Sequence, residues 1–225
     1  MESLQHNAAT QMGICLPTFK SADRLVRIAA VGCLLTVLAG CSNTPPRIDA
    51  PQWDPEAMAD EAMKLVDKDS NGQLSPEEMA SAPGLGASWK RFDENGDGQI
   101  SRDELVNRVT LYADSRVGLS SFTADVMLDG EPLEDVDVKI VPEPFFASVV
   151  EEATGKAGQG GYVSLRVPTE DVPGARIGMY RVVVTGPGIP QKYQSADTTD
   201  VGVEISPQTE EDDTGMAHFE LYSRG

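Results

Sequence analysis

The stretch Asp67-Lys68-Asp69-Ser70-Asn71-Gly72-Gln73-Leu74-Ser75-Pro76-Glu77-Glu78 returns, in chemical outline, 26 residues later as Asp93-Glu94-Asn95-Gly96-Asp97-Gly98-Gln99-Ile100-Ser101-Arg102-Asp103-Glu104. Both twelve-residue segments put an oxygen-bearing side chain at positions 1, 3, 5 and 9, a glycine at 6 and a glutamate at 12. A hard divalent cation takes roughly six to eight oxygens converging from several directions, and this spacing supplies them from one coil of backbone.

The roles follow from position. In the first segment Asp67, Asp69 and Asn71 each offer one side-chain oxygen and Gln73 its backbone carbonyl. Ser75 serves directly or through a water, and Glu78 closes the sphere with both carboxylate oxygens. In the second segment the same roles fall on Asp93, Asn95, Asp97, Gln99, Ser101 and Glu104. Gly72 and Gly98 stand where the chain must turn with positive φ, which glycine does without strain. On these residues the segments are identified as EF-hand loops, and the resemblance implies two Ca²⁺ sites. Each has three liganding carboxylates, so a bound ion leaves about one net negative charge. Magnesium, which demands a rigid octahedron and releases water reluctantly, competes poorly for such a loop.

What flanks the loops separates them from acidic surface turns. Position 8 is aliphatic in both, Leu74 and Ile100, as the short β-bridge between paired loops requires. Val66 and Met63 precede the first loop as Phe92 and Trp89 precede the second, each pair spaced to share a helix face. Met79 and Leu105 follow the closing glutamates. Asp54-Pro55 is a helix start signal, and Ala59, Ala62, Met63 and Val66 recur at helical spacing after it. Pro83, Gly84 and Gly86 keep the exit helix of the first hand short, while Leu105, Val109 and Tyr112 mark one face of a final helix. The compact spacing resembles the small EF-hand pairs of secreted bacterial proteins.

Lys20, Arg24 and Arg27 precede an apolar run from Ile28 to Ala39 that ends in Leu38-Ala39-Gly40-Cys41. A basic region, a short apolar core and small residues before a cut site describe a secretory signal. About twelve apolar residues are too few for a permanent membrane span. The final four residues resemble the lipobox of bacterial lipoproteins, which implies removal of residues 1–40, lipidation of Cys41 and, with Ser42 next, the outer membrane. Of Cys15, Cys33 and Cys41 only the last survives such processing, so no disulfide is expected. Residues 41–53, with Pro45, Pro46 and Pro51, read as an extended tether reaching up to about 40 Å.

The chain carries 18 basic and 36 acidic residues. Removing residues 1–40 takes away three basic and two acidic ones and leaves a formal charge of −19. That balance repels nucleic acid and anionic headgroups, so membrane attachment rests on the lipid.

Near residue 116 the composition changes from Met, Ala and Glu to Val, Gly and Pro. Phe122, Ala124, Val126 and Leu128 alternate with polar residues and meet an Asp129-Gly130 turn. Further strands are read around Val136–Ile140, Ala147–Thr154, Val163–Val167, Tyr180–Val184, Val201–Ile205 and His218–Tyr222. Asp129-Gly130-Glu131-Pro132-Leu133, Val136-Asp137-Val138, Val141-Pro142-Glu143, Gly161-Tyr162, Gly178-Met179-Tyr180-Arg181-Val182 and Ile189-Pro190-Gln191-Lys192-Tyr193 resemble the carboxypeptidase-regulatory-like, or transthyretin-like, domains of bacterial lipoproteins. The resemblance implies a Greek-key prealbumin-like sandwich. The expected fold class is therefore α+β in separate domains: an EF-hand pair over 54–115, then an antiparallel Greek-key β-sandwich over 116–225.

Some transthyretin-like proteins hydrolyse 5-hydroxyisourate with histidines and an arginine. Beyond residue 40 the chain has His218 alone, on an alternating strand with nothing in the nearby sequence to pair with it. No zinc-ligand cluster or serine elbow is present in the sequence. Glu151-Glu152 and Glu210-Glu211-Asp212-Asp213 read as solvated loop charge. The expectation is a non-catalytic, Ca²⁺-binding, lipid-anchored envelope protein whose β-domain scaffolds or binds an envelope protein or glycan. The alternative is a calcium sensor that exposes Met63, Met79 and Trp89 to a partner.

Overall fold

Residues 48–207 and 216–224 are described by the structure, a computed structural model, and they belong to one compact unit. The signal segment, Cys41 and the first part of the tether lie outside them. Helix α1 spans Pro55–Val66, opened by Asp54, whose Oδ1 accepts from the Ala57 amide at 3.1 Å. Met58, Ala59, Ala62 and Val66 form its buried stripe. The first loop carries β1 (Gln73–Leu74) and runs into α2 (Pro76–Met79), followed by α3 (Pro83–Gly86) and a 3₁₀ turn over Trp89–Arg91. The second loop carries β2 (Ile100–Ser101) and leads into α4 (Arg102–Ser115), which packs against α1. Leu105, Val109 and Tyr112 are buried along it, as their spacing predicts. Arg102 ties the two helices together at the surface, to Asp60 and Glu56, at 2.6 Å each.

The β-rich part holds β3 (Thr123–Leu128), β4 (Glu131–Pro132), β5 (Asp137–Pro142), β6 (Ala153–Lys156), β7 (Tyr162–Ser164), β8 (Gly178–Thr185), β9 (Gly202–Ile205) and β10 (Met216–Leu221). Two four-stranded sheets result: β3 pairs with β10, β4 and β7, while the other sheet runs β6-β5-β8-β9. Every pair is antiparallel except β10 with β3, which is parallel from Met216↔Thr123 to Leu221↔Leu128. Local alternation cannot report that direction, because it depends on the route of the intervening chain. The Asp129-Gly130 turn joins β3 to β4 with both residues at positive φ, the two-residue hairpin geometry that follows strand twist. The strand read around 147–154 begins only at Ala153. Before it, Phe146 and Val150 are drawn into helical turns, with the Phe146 amide on Glu143 O and the Val150 amide on Phe146 O. This buries Phe145, Phe146 and Val150 instead of alternating them.

The helical and β-rich parts share one hydrophobic core that runs from Met58 to Leu221. Trp53, Tyr112 and Phe146 meet there, with centroids 5.4 to 6.2 Å apart in tilted and edge-on pairs. Helix α3 lies directly on β8 and β9. A Cβ on Gly84 would come within 2.6 Å of the Tyr180 nitrogen, and one on Gly202 within 2.0 Å of the Pro83 oxygen. The segment before α1 is also seated, since Arg176 Nη1 donates to the Asp49 carbonyl at 3.2 Å and to the Gly118 carbonyl at 2.7 Å. Residues 48–53 therefore lie along the body and lend no reach to a tether. Among the described residues no helix is long and apolar enough to cross a membrane.

Candidate metal centre

Each loop is a coil of backbone amides turned in toward its own carboxylates. In the first, Asp67 Oδ1 accepts from the Asn71 amide at 3.2 Å and Oδ2 from the Gly72 amide at 2.9 Å. Asp69 Oδ1 accepts from the Asn71 amide at 3.1 Å, and Asn71 Oδ1 from the Gln73 amide at 2.7 Å. In the second, Asp93 Oδ1 accepts from the Gly96 and Asp97 amides and Oδ2 from Gly98 at 2.9 Å. Asn95 Oδ1 takes the Asp97 amide and Asp97 Oδ1 the Gln99 amide, both at 2.8 Å. Gly72 and Gly98 have φ of 83° and 85°. Position 4 is left-handed too, in Ser70 at 61° and Gly96 at 75°, a demand that the serine conceals in the sequence.

The closing glutamates sit at the first turns of α2 and α4. Ser75 and Ser101 cap those helices in reciprocal boxes. The Ser75 amide and hydroxyl donate to Glu78 Oε2 at 2.9 and 2.8 Å, while the Lys68 and Asp69 amides donate to Oε1 at 2.8 and 3.3 Å. Glu104 repeats this with Ser101, Glu94 and Asn95. These donors, the Ser75 amide first, hold the Glu78 carboxyl down at about 2. Both glutamates are buried. The loops join through β1 and β2, where Leu74 pairs with Ile100 and Gln73 with Ser101, and both aliphatic residues are fully buried.

All twelve residues read from the sequence thus lie in two coils joined back to back. Asp67, Asp69 and Glu78 each turn an oxygen to within 4.8 Å of the others, the one group of this kind among the described residues. In the second loop Asn95 occupies position 3, and its Nδ2 donates to Asp97 Oδ2 at 3.0 Å. Converging anionic oxygens, whose charge is met chiefly by backbone amides of the same coil, are a donor set that fits a hard cation. The Gln73 side-chain oxygen is buried without a partner beside β1.

An EF-hand family model matches residues 58–81 and 90–109, which bracket the two loops. The chain therefore carries an EF-hand element, and calcium binding is the property that element implies. No curated protein matches the chain, and no solved structure does.

The sequence reading missed three features near or beyond the loops. Glu204, on β9 with its side chain fully buried, accepts from Arg108 Nε at 2.7 Å, from the Tyr112 hydroxyl, and from Arg91 Nη1 at 3.4 Å. Glu143, equally buried, accepts from the Gly84 amide at 2.7 Å and Arg181 Nε at 2.8 Å, while Arg181 Nη2 reaches the Ser81 carbonyl. Burial raises the Glu143 carboxyl above the ordinary range, against the pull of Arg181. The signal for both was a charge inside an apolar run, Glu204 in Val203–Ile205 and Arg181 in Tyr180–Val184. Third, His218 does have a partner: its Nδ1 lies 2.7 Å from Asp125 Oδ1 across the parallel β3–β10 pair. The contact was invisible locally because the two residues are 93 positions apart.

Proposed function

We propose that this chain is a constitutively calcium-loaded, non-catalytic protein, anchored by a lipid on Cys41 at the bacterial cell envelope, with the outer membrane as its location. In this reading Asp67, Asp69, Asn71, Gln73, Ser75 and Glu78 hold one Ca²⁺, and Asp93, Asn95, Asp97, Gln99, Ser101 and Glu104 hold the other. The ions supply charge neutralisation and a fixed loop shape. The β-rich part, taken as a Greek-key sandwich of the carboxypeptidase-regulatory type, serves as scaffold or as the binding surface for an envelope protein or glycan.

The observation that carries loading over sensing is the placement of the apolar residues around the loops. A sensor hand opens to present such residues to a target. Here Met79, Leu85 and Phe92 are fully covered, and Met63 and Trp89 pack against the same core. Extracellular calcium modules commonly bind at about 10⁻⁴–10⁻³ M, which suits permanent occupancy in a calcium-rich medium.

Calorimetric titration of the fragment from residue 47, followed by melting and dye binding with calcium or chelator, tests this. The reading expects calcium uptake, a raised melting temperature and no added dye binding. At calcium a hundredfold above Kd one site contributes about 2.7 kcal/mol. Uptake with strong new dye binding would favour the sensor alternative. Absence of uptake at millimolar calcium would remove the calcium reading. For the anchor, Cys41→Ser is expected to abolish partitioning into detergent, and unchanged partitioning would refute lipidation.

A further inference from the structure

The two arms of the second loop end on the same buried carboxylate. Arg91 lies two residues ahead of Asp93, and Arg108 lies four residues beyond Glu104, with Tyr112 one turn further on the same face of α4. All three reach Glu204 on β9. The exit of the first loop is held in a parallel way, by Glu143 and Arg181 on Gly84 and Ser81. Between these two points α3 meets β8 and β9 so closely that neither Gly84 nor Gly202 has room for a methyl group.

We infer that Glu204 is a clamp that holds the second hand in a single arrangement of its entering and exiting arms, so that calcium bound at Asp93–Glu104 stabilises the β8–β9 edge instead of opening the hand. This rests on the calcium reading above. Opening would swing Arg91 away from Arg108 and strip Glu204 of one of its cations inside the core, where an uncompensated charge is strongly disfavoured. Closed and pre-shaped, the loop binds metal without first paying to order its arms. Coupling between two sites is reciprocal, so whatever the clamp contributes to calcium affinity, calcium returns to the anchoring of β9.

The Gly72 and Gly98 amides each donate to the first aspartate of their own loop, and so report the two sites separately. An NMR titration of residues 47–225 with calcium, following these two amides, is run on the parent and on Glu204→Gln. Hydrogen exchange at β9 is measured with and without metal. The clamp predicts that the Gly98 transition in Glu204→Gln weakens about tenfold, within the usual range of site coupling. The Gly72 transition weakens less than the Gly98 one, because only the arms of the second loop reach Glu204 and the β1–β2 bridge passes on part of the loss. Calcium slows exchange at Val203–Ile205 in the parent only. Should Glu204→Gln fail to fold, Arg91→Met, which removes one arm at a partly exposed position, is expected to show a smaller loss that is greater at Gly98 than at Gly72. Calcium uptake with equal or no loss at the two glycines overturns the clamp and leaves the calcium reading standing. No shift of either glycine in the parent overturns both.

Discussion

Glu204 on β9 and Arg108 on α4 meet at 2.7 Å across 96 positions of sequence, with the carboxylate fully buried and the guanidinium nearly so. Arg108 also lies over the Phe92 and Tyr112 rings, 5.4 and 5.9 Å from their centroids. The last residues before the second loop and the helix that leaves it are thus joined to a strand of the opposite sheet system. Under the clamp inferred above, these two arms of the second loop move together with β9.

The closing glutamates are expected to be individually essential to their loops. Glu78→Gln should silence the Gly72 transition in a calcium titration and Glu104→Gln the Gly98 transition, because each loses the bidentate oxygen pair. The double variant should take up no calcium in the millimolar range by calorimetry. Near-normal stoichiometry there would mean that the ligands have been misassigned.

Arg181→Met leaves Glu143 buried opposite an uncharged side chain, with only the Gly84 amide for company. Removing one member of a buried pair costs about 3–5 kcal/mol. Urea unfolding at neutral pH measures this directly, and a loss below about 1 kcal/mol would place the pair among weak surface bridges.

Gly84→Ala is a packing test. Its new methyl would press on the Tyr180 backbone, which cannot swing aside as a side-chain end would. A cost of about 1–3 kcal/mol is expected from such overpacking. Gly86→Ala, whose methyl would sit 3.3 Å from the Met79 carbonyl, should be milder. If the two melt alike, α3 is not seated on β8 in solution.

Acid should act on the metal-free protein through Glu78. Its carboxyl is held at about 2 in the folded state, below an unfolded value of 4.5. A depressed carboxylate contributes stability that is fully present above pH 4.5 and is lost as pH falls toward 2. In chelator, a ¹³C titration of the Glu78 carboxyl should show the low value, and Ser75→Ala should raise it by removing the hydroxyl donor. An ordinary midpoint near 4.5 in the parent would contradict the hydrogen-bonded geometry of the loop.

The loops were legible because their chemistry is local. Twelve consecutive residues contain the turn, the oxygens and the glycine, so the ligand chemistry of Asp67–Glu78 and Asp93–Glu104 can be read within each stretch. The same holds for the Asp54 cap, the buried stripe of α4 and the Asp129-Gly130 turn, each a few residues long. Strand positions were legible in outline, but the strand read over Val163–Val167 ends at Ser164, and Glu131–Pro132 was not read as a strand. Before Ala153 the residues Phe145, Phe146 and Val150 satisfied burial by curling instead of extending.

What the chain alone could not declare is everything carried by partners far apart in sequence. The parallel course of β10 beside β3, the His218–Asp125 contact and the docking of α3 on β8 and β9 depend on where distant segments arrive. So do the burial of Glu143 and Glu204 and the cations that make it tolerable. A carboxylate in an apolar strand announces a cost, but only the folded arrangement reveals which arginine offsets it. The sequence by itself determined two oxygen-lined loops and the kind of ion they suit. The tertiary structure alone decided that their helices are bound to a sheet, because buried charge is stable only when its counter-charge is delivered by the rest of the fold.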